Sequence, residues 1–260
     1  MKQTIHSKSR FVFEAIGRIH SCFPEKFGIP RQAGLVEEAQ GAIELFSSFD
    51  RKEALRELEG FSHIWVLFVF HRCLGHAWKA TVRPPRLGGN RRVGVFASRS
   101  GFRPNPIGQS AVSLLGVERR DGKTWLRLGG IDLLDGTPVL DIKPYLPYAD
   151  HIPRARGGYA QEAPPSRRTV VFTPAAAAAC QTLGQGRHGN LKGLITALLH
   201  HDPRPAYRDA TRPATFGMAL WDLNIRFCIS GERIEVQSVG LGDRNRPASS
   251  ALQTTPLGED

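Results

Sequence analysis

Cysteine is scarce in this sequence: four residues in 260, Cys22, Cys73, Cys180 and Cys228, with no C-x-x-C pair among them. That scatter indicates neither a zinc site nor a disulfide framework, and a reducing cytoplasm is the simplest setting for it. Long apolar runs are missing too. No uncharged apolar stretch approaches the ~18 residues of a membrane span, and the basic start MKQTIHSKSR has no apolar stretch behind it to make an export signal. The expectation is a protein neither exported nor membrane-inserted. No G-x-G-x-x-G follows a strand-like run, so a dinucleotide-type Rossmann site has no support. The charge in short supply is acid: 24 Asp and Glu stand against 35 Lys and Arg, a formal net charge of +11. Such a surplus makes phosphate the suspected partner, while charge alone leaves a merely solvated basic surface open.

What the chain does have is concentrated in loops. RSGFRPNPIG, Arg99 to Gly108, packs two prolines, two glycines and an arginine pair into ten positions between strand-like runs. Proline fixes φ and glycine admits φ > 0, so the loop holds few conformations and presents its arginines rigidly. FGIPRQ, Phe27 to Gln32, has the same character. Strand patterns are expected over Phe11 to Ile19, Gly41 to Phe46, Gly94 to Ala97, Ala111 to Glu118, Thr124 to Leu128 and Val139 to Ile142. Ser62 to Phe70, SHIWVLFVF, is the most apolar run and reads as a strand buried on both faces, with His71 and Arg72 at its end. A helix is expected over Arg51 to Leu58, capped by Asp50 and stopped by Gly60. Lys79 to Arg92 reads as a basic, solvated loop.

Closely spaced turns around one strongly apolar strand point to a closed antiparallel β unit rather than alternating βα units. The residues therefore divide into a flexible N-terminus over 1–10, a β-barrel domain over 11–150, a linker over 151–169, a small α+β domain over 170–240 and a disordered tail over 241–260. In the second domain, helices are expected over Pro174 to Leu183 and Leu191 to His200. A hairpin of Met218 to Ile229 with Arg233 to Val239 follows them.

FGIPRQ, LFVFH, VRPPRLGG, FRPNPIG, DGTPVLDIKPY and DPRPAY, in this order over about residues 11 to 240, resemble the TrmO family of tRNA adenine-N6 methyltransferases, formerly grouped with YaeB and VirR-type proteins. The resemblance implies a mainly β fold with some α: a β-barrel (TsaA-like) methyltransferase domain and a small C-terminal domain that helps grip tRNA, working as a cytoplasmic homodimer without metal. It implies methyl transfer from S-adenosylmethionine to N6 of the threonylcarbamoyl-modified adenosine beside the anticodon of threonine tRNAs. The positions matching the family's cofactor segments are Pro30, Arg31, Gln32, His71, Arg72, Arg99, Gln109, Asp132, Leu133, Leu134 and Asp135. Arg72 departs from relatives that carry glutamine or another residue there, so a backbone or tolerant polar contact is expected of it.

For the substrate, Arg103 is the candidate partner of the threonylcarbamoyl carboxylate, because a guanidinium binds carboxylate in bidentate fashion. Asp141, Lys143 and Tyr145 alternate along one strand and share a face, as a proton relay requires; a plain ion pair beside a tyrosine fits the same spacing. In DPRPAY, Arg204 and Tyr207 are the expected RNA contacts, with Asp202 orienting Arg204; a plain helix C-terminal turn with Tyr207 packed under the loop fits the same segment. Two further readings of these loops stand beside the enzyme. One is a non-catalytic RNA-binding or regulatory protein; the other is a methyltransferase acting on a different small, anionic substrate.

Overall fold

A computed structural model describes residues 10–164, 168–186, 188–204 and 213–242. The first unit is built on six strands: β1 (Gly17–Ser21), β2 (Gly41–Leu45), β3 (His63–Val69), β6 (Ile107–Arg120), β7 (Lys123–Gly129) and β8 (Pro138–Pro144). A short hairpin of β4 (Thr81–Val82) and β5 (Val93–Gly94) interrupts the run. The six strands form a closed barrel in the order β1-β2-β7-β6-β3-β8, every neighbouring pair antiparallel, with β8 returning to β1. Ile19, Ile43, Ile64, Val66, Val112, Leu126, Leu128 and Val139 fill the interior.

In such a ring the connections β1–β2, β3–β6 and β7–β8 all leave from one end, which we call the mouth. That is where the Pro- and Gly-rich loops sit. Gly34 N donates to Gly130 O at 2.8 Å and Ile131 N to Ala39 O at 3.0 Å, joining the first loop to the third. Phe70 N donates to Pro106 O at 2.8 Å, tying the end of β3 to the Arg99 to Gly108 loop. Gly101 and Gly108 serve close approach. A Cβ on Gly108 would lie 2.2 Å from the Phe68 ring, and one on Gly101 would lie 2.7 Å from that of Phe70.

The second unit is a four-stranded sheet in the order β10-β11-β12-β9, from β9 (Thr169–Phe172), β10 (Ala214–Leu220), β11 (Leu223–Ser230) and β12 (Arg233–Leu241), with β9 parallel to β12. After the short helix α1 (Pro147–Asp150), the longer helices are α2 (Pro174–Leu183) and α3 (Leu191–His200). Thr173 caps α2 and Asn190 caps α3, and α3 buries Leu191, Leu194, Ile195, Leu198 and Leu199. The unit rests on the β1–β2 loop. Trp221 N donates to Cys22 O at 2.8 Å, and Phe27 stacks on Phe216 at 6.4 Å.

Several local expectations are corrected. The strand expected from Phe11 begins only at Gly17, leaving Phe11, Val12 and Phe13 exposed. Arg51 to Leu58 forms no α-helix: 3-10 turns over Lys52–Leu55 and Leu58–Gly60 flank Glu57 in the left-handed region at φ 65°. Asp50 is not their cap, because Thr124 N and Oγ1 occupy its carboxylate at 3.0 and 2.5 Å. β3 is not buried on both faces: Ile64, Val66 and Phe68 point inward, while Trp65, Leu67 and Val69 are half-buried on the outside. Val95–Ala97 is a 3-10 turn rather than strand. Met218 and Ile229 lie on different strands, parted by a turn at Trp221 with φ 52°. Strand β12 runs on to Leu241, inside the expected tail, and residues 1–9 and 243–260 lie outside the described residues.

Candidate active site

The mouth gathers polar groups from all three loops. Asp132 follows β7, and its carboxylate accepts from Ser110 Oγ on β6 at 2.7 Å and from the Ala33 backbone. Burial pushes its pKa up; the Ser110 hydrogen bond, backbone N–H groups and the Arg99 charge partly offset that. Arg99 Nη1 donates to Gln32 Oε1, and Gln32 Nε2 donates to Arg31 O. Asp135 accepts from Ser21 N at 2.9 Å, while Leu133 and Leu134 are buried beneath. His71 and Arg72 sit in a 3-10 turn directly after β3. The His71 pKa is lowered by burial and by Arg72 and Lys26, which favours the neutral ring. Sequence reasoning missed Ser110 and Ala33: a strand serine and a backbone amide carry no local signature of a site.

Other expected residues fall elsewhere. Arg103 turns back on its own loop, Nη1 donating to Ser98 O at 3.2 Å and Ser100 O at 3.3 Å. Gln109 is exposed on the outer barrel face, between its buried neighbours Gly108 and Ser110. Asp141, Lys143 and Tyr145 do share a face, and it is this same outer one. Lys143 Nζ lies 2.6 Å from Asp141 Oδ2, and the Tyr145 ring lies 5.7 Å from Trp65. The β3 registers set them in rows: Gln109, Leu67 and Asp141; Ala111, Trp65 and Lys143. Within one chain they do not meet the Gln32–Asp132 cluster.

Arg204, expected as an RNA contact, is buried in this structure, its guanidinium held, as expected, by Asp202 through Nε and Nη2, both at 2.9 Å. Asp202 also pairs with Arg168 at 2.9 Å. These partners outweigh the upward push of burial and hold its carboxyl below the usual range. Arg31 is turned the same way, Nη2 donating to Arg204 O at 2.7 Å. Tyr207 lies outside the described residues.

Amide, guanidinium and carboxylate groups over an apolar floor suit a polar ligand carrying both charges. S-adenosylmethionine is such a ligand, with a carboxylate, an ammonium and ribose hydroxyls. Among the described residues no His, Cys, Asp and Glu cluster is arranged for a metal, and no helix is long and apolar enough to cross a membrane. The fold thus defines a two-domain protein with a candidate small-molecule site at the mouth of a closed β unit.

Comparisons make this specific. The tRNA-methyltransferase O N-terminal domain matches residues 18–151, and the TrmO C-terminal domain matches residues 165–241. The chain is 48% identical over 229 residues to the tRNA (adenine(37)-N6)-methyltransferase of Escherichia coli (strain K12), covering 88% of this chain and 97% of that one. It is 50% identical over 212 residues to a putative S-adenosylmethionine-dependent methyltransferase, RcsF, of Pseudomonas aeruginosa, covering 82% and 90%. A crystal structure of TrmO from Pseudomonas aeruginosa superposes with a TM-score of 0.74 at 41% identity, over 89% of this chain and 99% of that one. The chain belongs to the TrmO family.

Proposed function

We propose that the protein methylates N6 of the threonylcarbamoyl-modified adenosine beside the anticodon of threonine tRNAs, acting as a homodimer. As a TrmO family member it is an S-adenosylmethionine-dependent tRNA (adenine-N6)-methyltransferase. The observation that carries the reading is the convergence at the mouth of Gln32, Arg99 and Asp132, from loops that the sequence makes rigid, with Ser110 of β6. The cofactor, when bound, supplies a methyl group made electrophilic by its sulfonium. Asp132 and Asp135 are the acceptors for its hydroxyl and ammonium groups, Arg99 and Gln32 the donors for its carboxylate and adenine ring nitrogens, and Leu133 and Leu134 exclude water.

Arg103 receives the threonylcarbamoyl carboxylate. Its Nη1 is held by the loop, which fixes the guanidinium and leaves the Nε and Nη2 edge for a bidentate partner. The N6 proton leaves toward the Asp141–Lys143 pair, with Tyr145 alongside. Since those residues lie on the outer face, a second copy covering that face would bring them to its own mouth. Half-buried Trp65, Leu67 and Val69 on the outside of β3 supply the apolar part of such a contact. The closed six-stranded sheet is then a barrel-type methyltransferase scaffold, and the second domain assists in gripping tRNA.

Labelled cofactor incubated with threonine tRNA, with and without threonylcarbamoylation, tests the reading. Transfer to the modified tRNA alone is expected. Binding of tRNA with no transfer to either form overturns the proposal in favour of a non-catalytic RNA-binding protein.

A further inference from the structure

Residues 60–117 contain eight Lys and Arg and not one Asp or Glu. Arg99 and Arg103 belong to the mouth. Most of the others lie on the long β3–β6 connection, whose outlying part is the β4–β5 hairpin. The hairpin is rooted on the mouth: Lys79 N donates to Phe102 O and Val95 N to Ala80 O, both at 3.0 Å. Lys79 Nζ stands 4.6 Å from the centre of the Phe102 ring.

The hairpin's cations are not consumed in holding the fold, with two exceptions. Arg86 donates to the carbonyls of Tyr159 and Glu162, pinning the segment after α1, and Arg92 donates to Thr81 Oγ1 at 3.0 Å across the hairpin. Arg83, Arg91 and Arg92 are exposed, and none takes part in an ion pair among the described residues. Two large rings stand at the hairpin's root. Phe96 is 77% exposed and Trp78 is 53% exposed, although neither belongs to the barrel core or to the outer face of β3.

Exposed rings among guanidinium groups that no carboxylate neutralises match what single-stranded RNA offers: phosphates at regular intervals and base faces able to stack. A second copy of this chain matches less well, because an acid-free segment meeting its own counterpart is repelled. We propose that the β4–β5 hairpin is a second RNA-binding surface, distinct from the C-terminal domain. Arg83, Arg91 and Arg92 hold phosphates of the anticodon arm, and Phe96 and Trp78 stack on unpaired bases flanking the one delivered to the mouth. The inference rests on the tRNA reading above and adds to it the surface that presents the loop.

Fluorescence anisotropy with labelled threonine tRNA, using the full-length protein from 50 to 200 mM salt, tests it. Losing about two phosphate contacts in an Arg91→Ala/Arg92→Ala variant should flatten the slope of log affinity against log salt by about 1.5. The Arg91→Lys/Arg92→Lys variant should restore that slope. Phe96→Ala should weaken binding about tenfold with the slope unchanged. Calorimetry with S-adenosylmethionine should give wild-type cofactor affinity for all of them, showing that they fold. Wild-type protein that does not bind tRNA overturns both this inference and the function on which it rests. Wild-type binding with variants of equal affinity and slope overturns the hairpin's role alone. So does a Phe96→Ala variant that keeps tRNA affinity but changes oligomeric state in sedimentation velocity.

Discussion

Arg31 crosses from the barrel to the second domain, where its Nη2 meets the carbonyl of Arg204 at 2.7 Å and that of Asp202 at 3.5 Å. Burial lowers its pKa, and Asp202 works against that shift. A residue read from the sequence as a cofactor ligand is thus also the strut between the two units. Arg31→Ala should cost about 1 to 2 kcal/mol in urea denaturation, and calorimetry should show weaker cofactor binding, because without the side-chain strut the loop that carries Gln32 is less firmly held. Glu44 makes a separate prediction. Lys123, His20 and Arg18 surround its nearly buried carboxylate and, against the opposing push of burial, lower its pKa from 4.5 to about 2. A depressed carboxylate contributes stability that is present above its unfolded value and is lost as pH falls through the folded one. Stability should therefore drop between about pH 4.5 and pH 2, and Glu44→Gln should flatten that limb in denaturation measured across the range. Arg18 and Lys123 stay half in solvent, so added salt should weaken the effect.

Among the elements, the Arg99 to Gly108 loop is held by close packing as much as by its prolines. Gly108 faces the Phe68 ring across β3 and β6, so Gly108→Ala forces that buried ring to move. Overpacking of this kind costs about 1 to 3 kcal/mol. A thermal melt should show the loss, and cofactor affinity should fall with it as Ser110 shifts beneath Asp132. How legible each element was follows from where its determinants lie. Helices α2 and α3 were readable to the residue, because Thr173 and Asn190 cap them and the apolar period is local. Residues 51–58 carried a similar local signal, but Asp50 was claimed by Thr124, 74 positions away, and Glu57 broke the turn. The turn at Trp221 had no glycine to announce it. The mouth loops were legible as rigid, polar segments. Their meeting was not, since Gly34 to Gly130 and Ser110 to Asp132 are contacts of the closed ring.

In the proposed homodimer, the outer surface of β3 is the face that a second copy would cover. Leu67 lies between Gln109 and Asp141 and is only half-buried, so a carboxylate there removes apolar contact without touching the core. Leu67→Asp should give a monomer in sedimentation velocity, with cofactor binding retained and methyl transfer lost. If transfer survives in the monomer, Asp141 and Lys143 have no part in it. Gln109 and Asp141 were legible as polar residues in a suggestive spacing, but which side of the sheet they occupy depends on the strand register and on the irregularity between Leu67 and Phe68. The alternating direction of the six strands has one more consequence. Because the three chemical loops leave from one end, the tight Asp121–Gly122 turn between β6 and β7 stands at the other. A fluorophore or surface tether attached there would report on the molecule or immobilise it while leaving the working end open to solution.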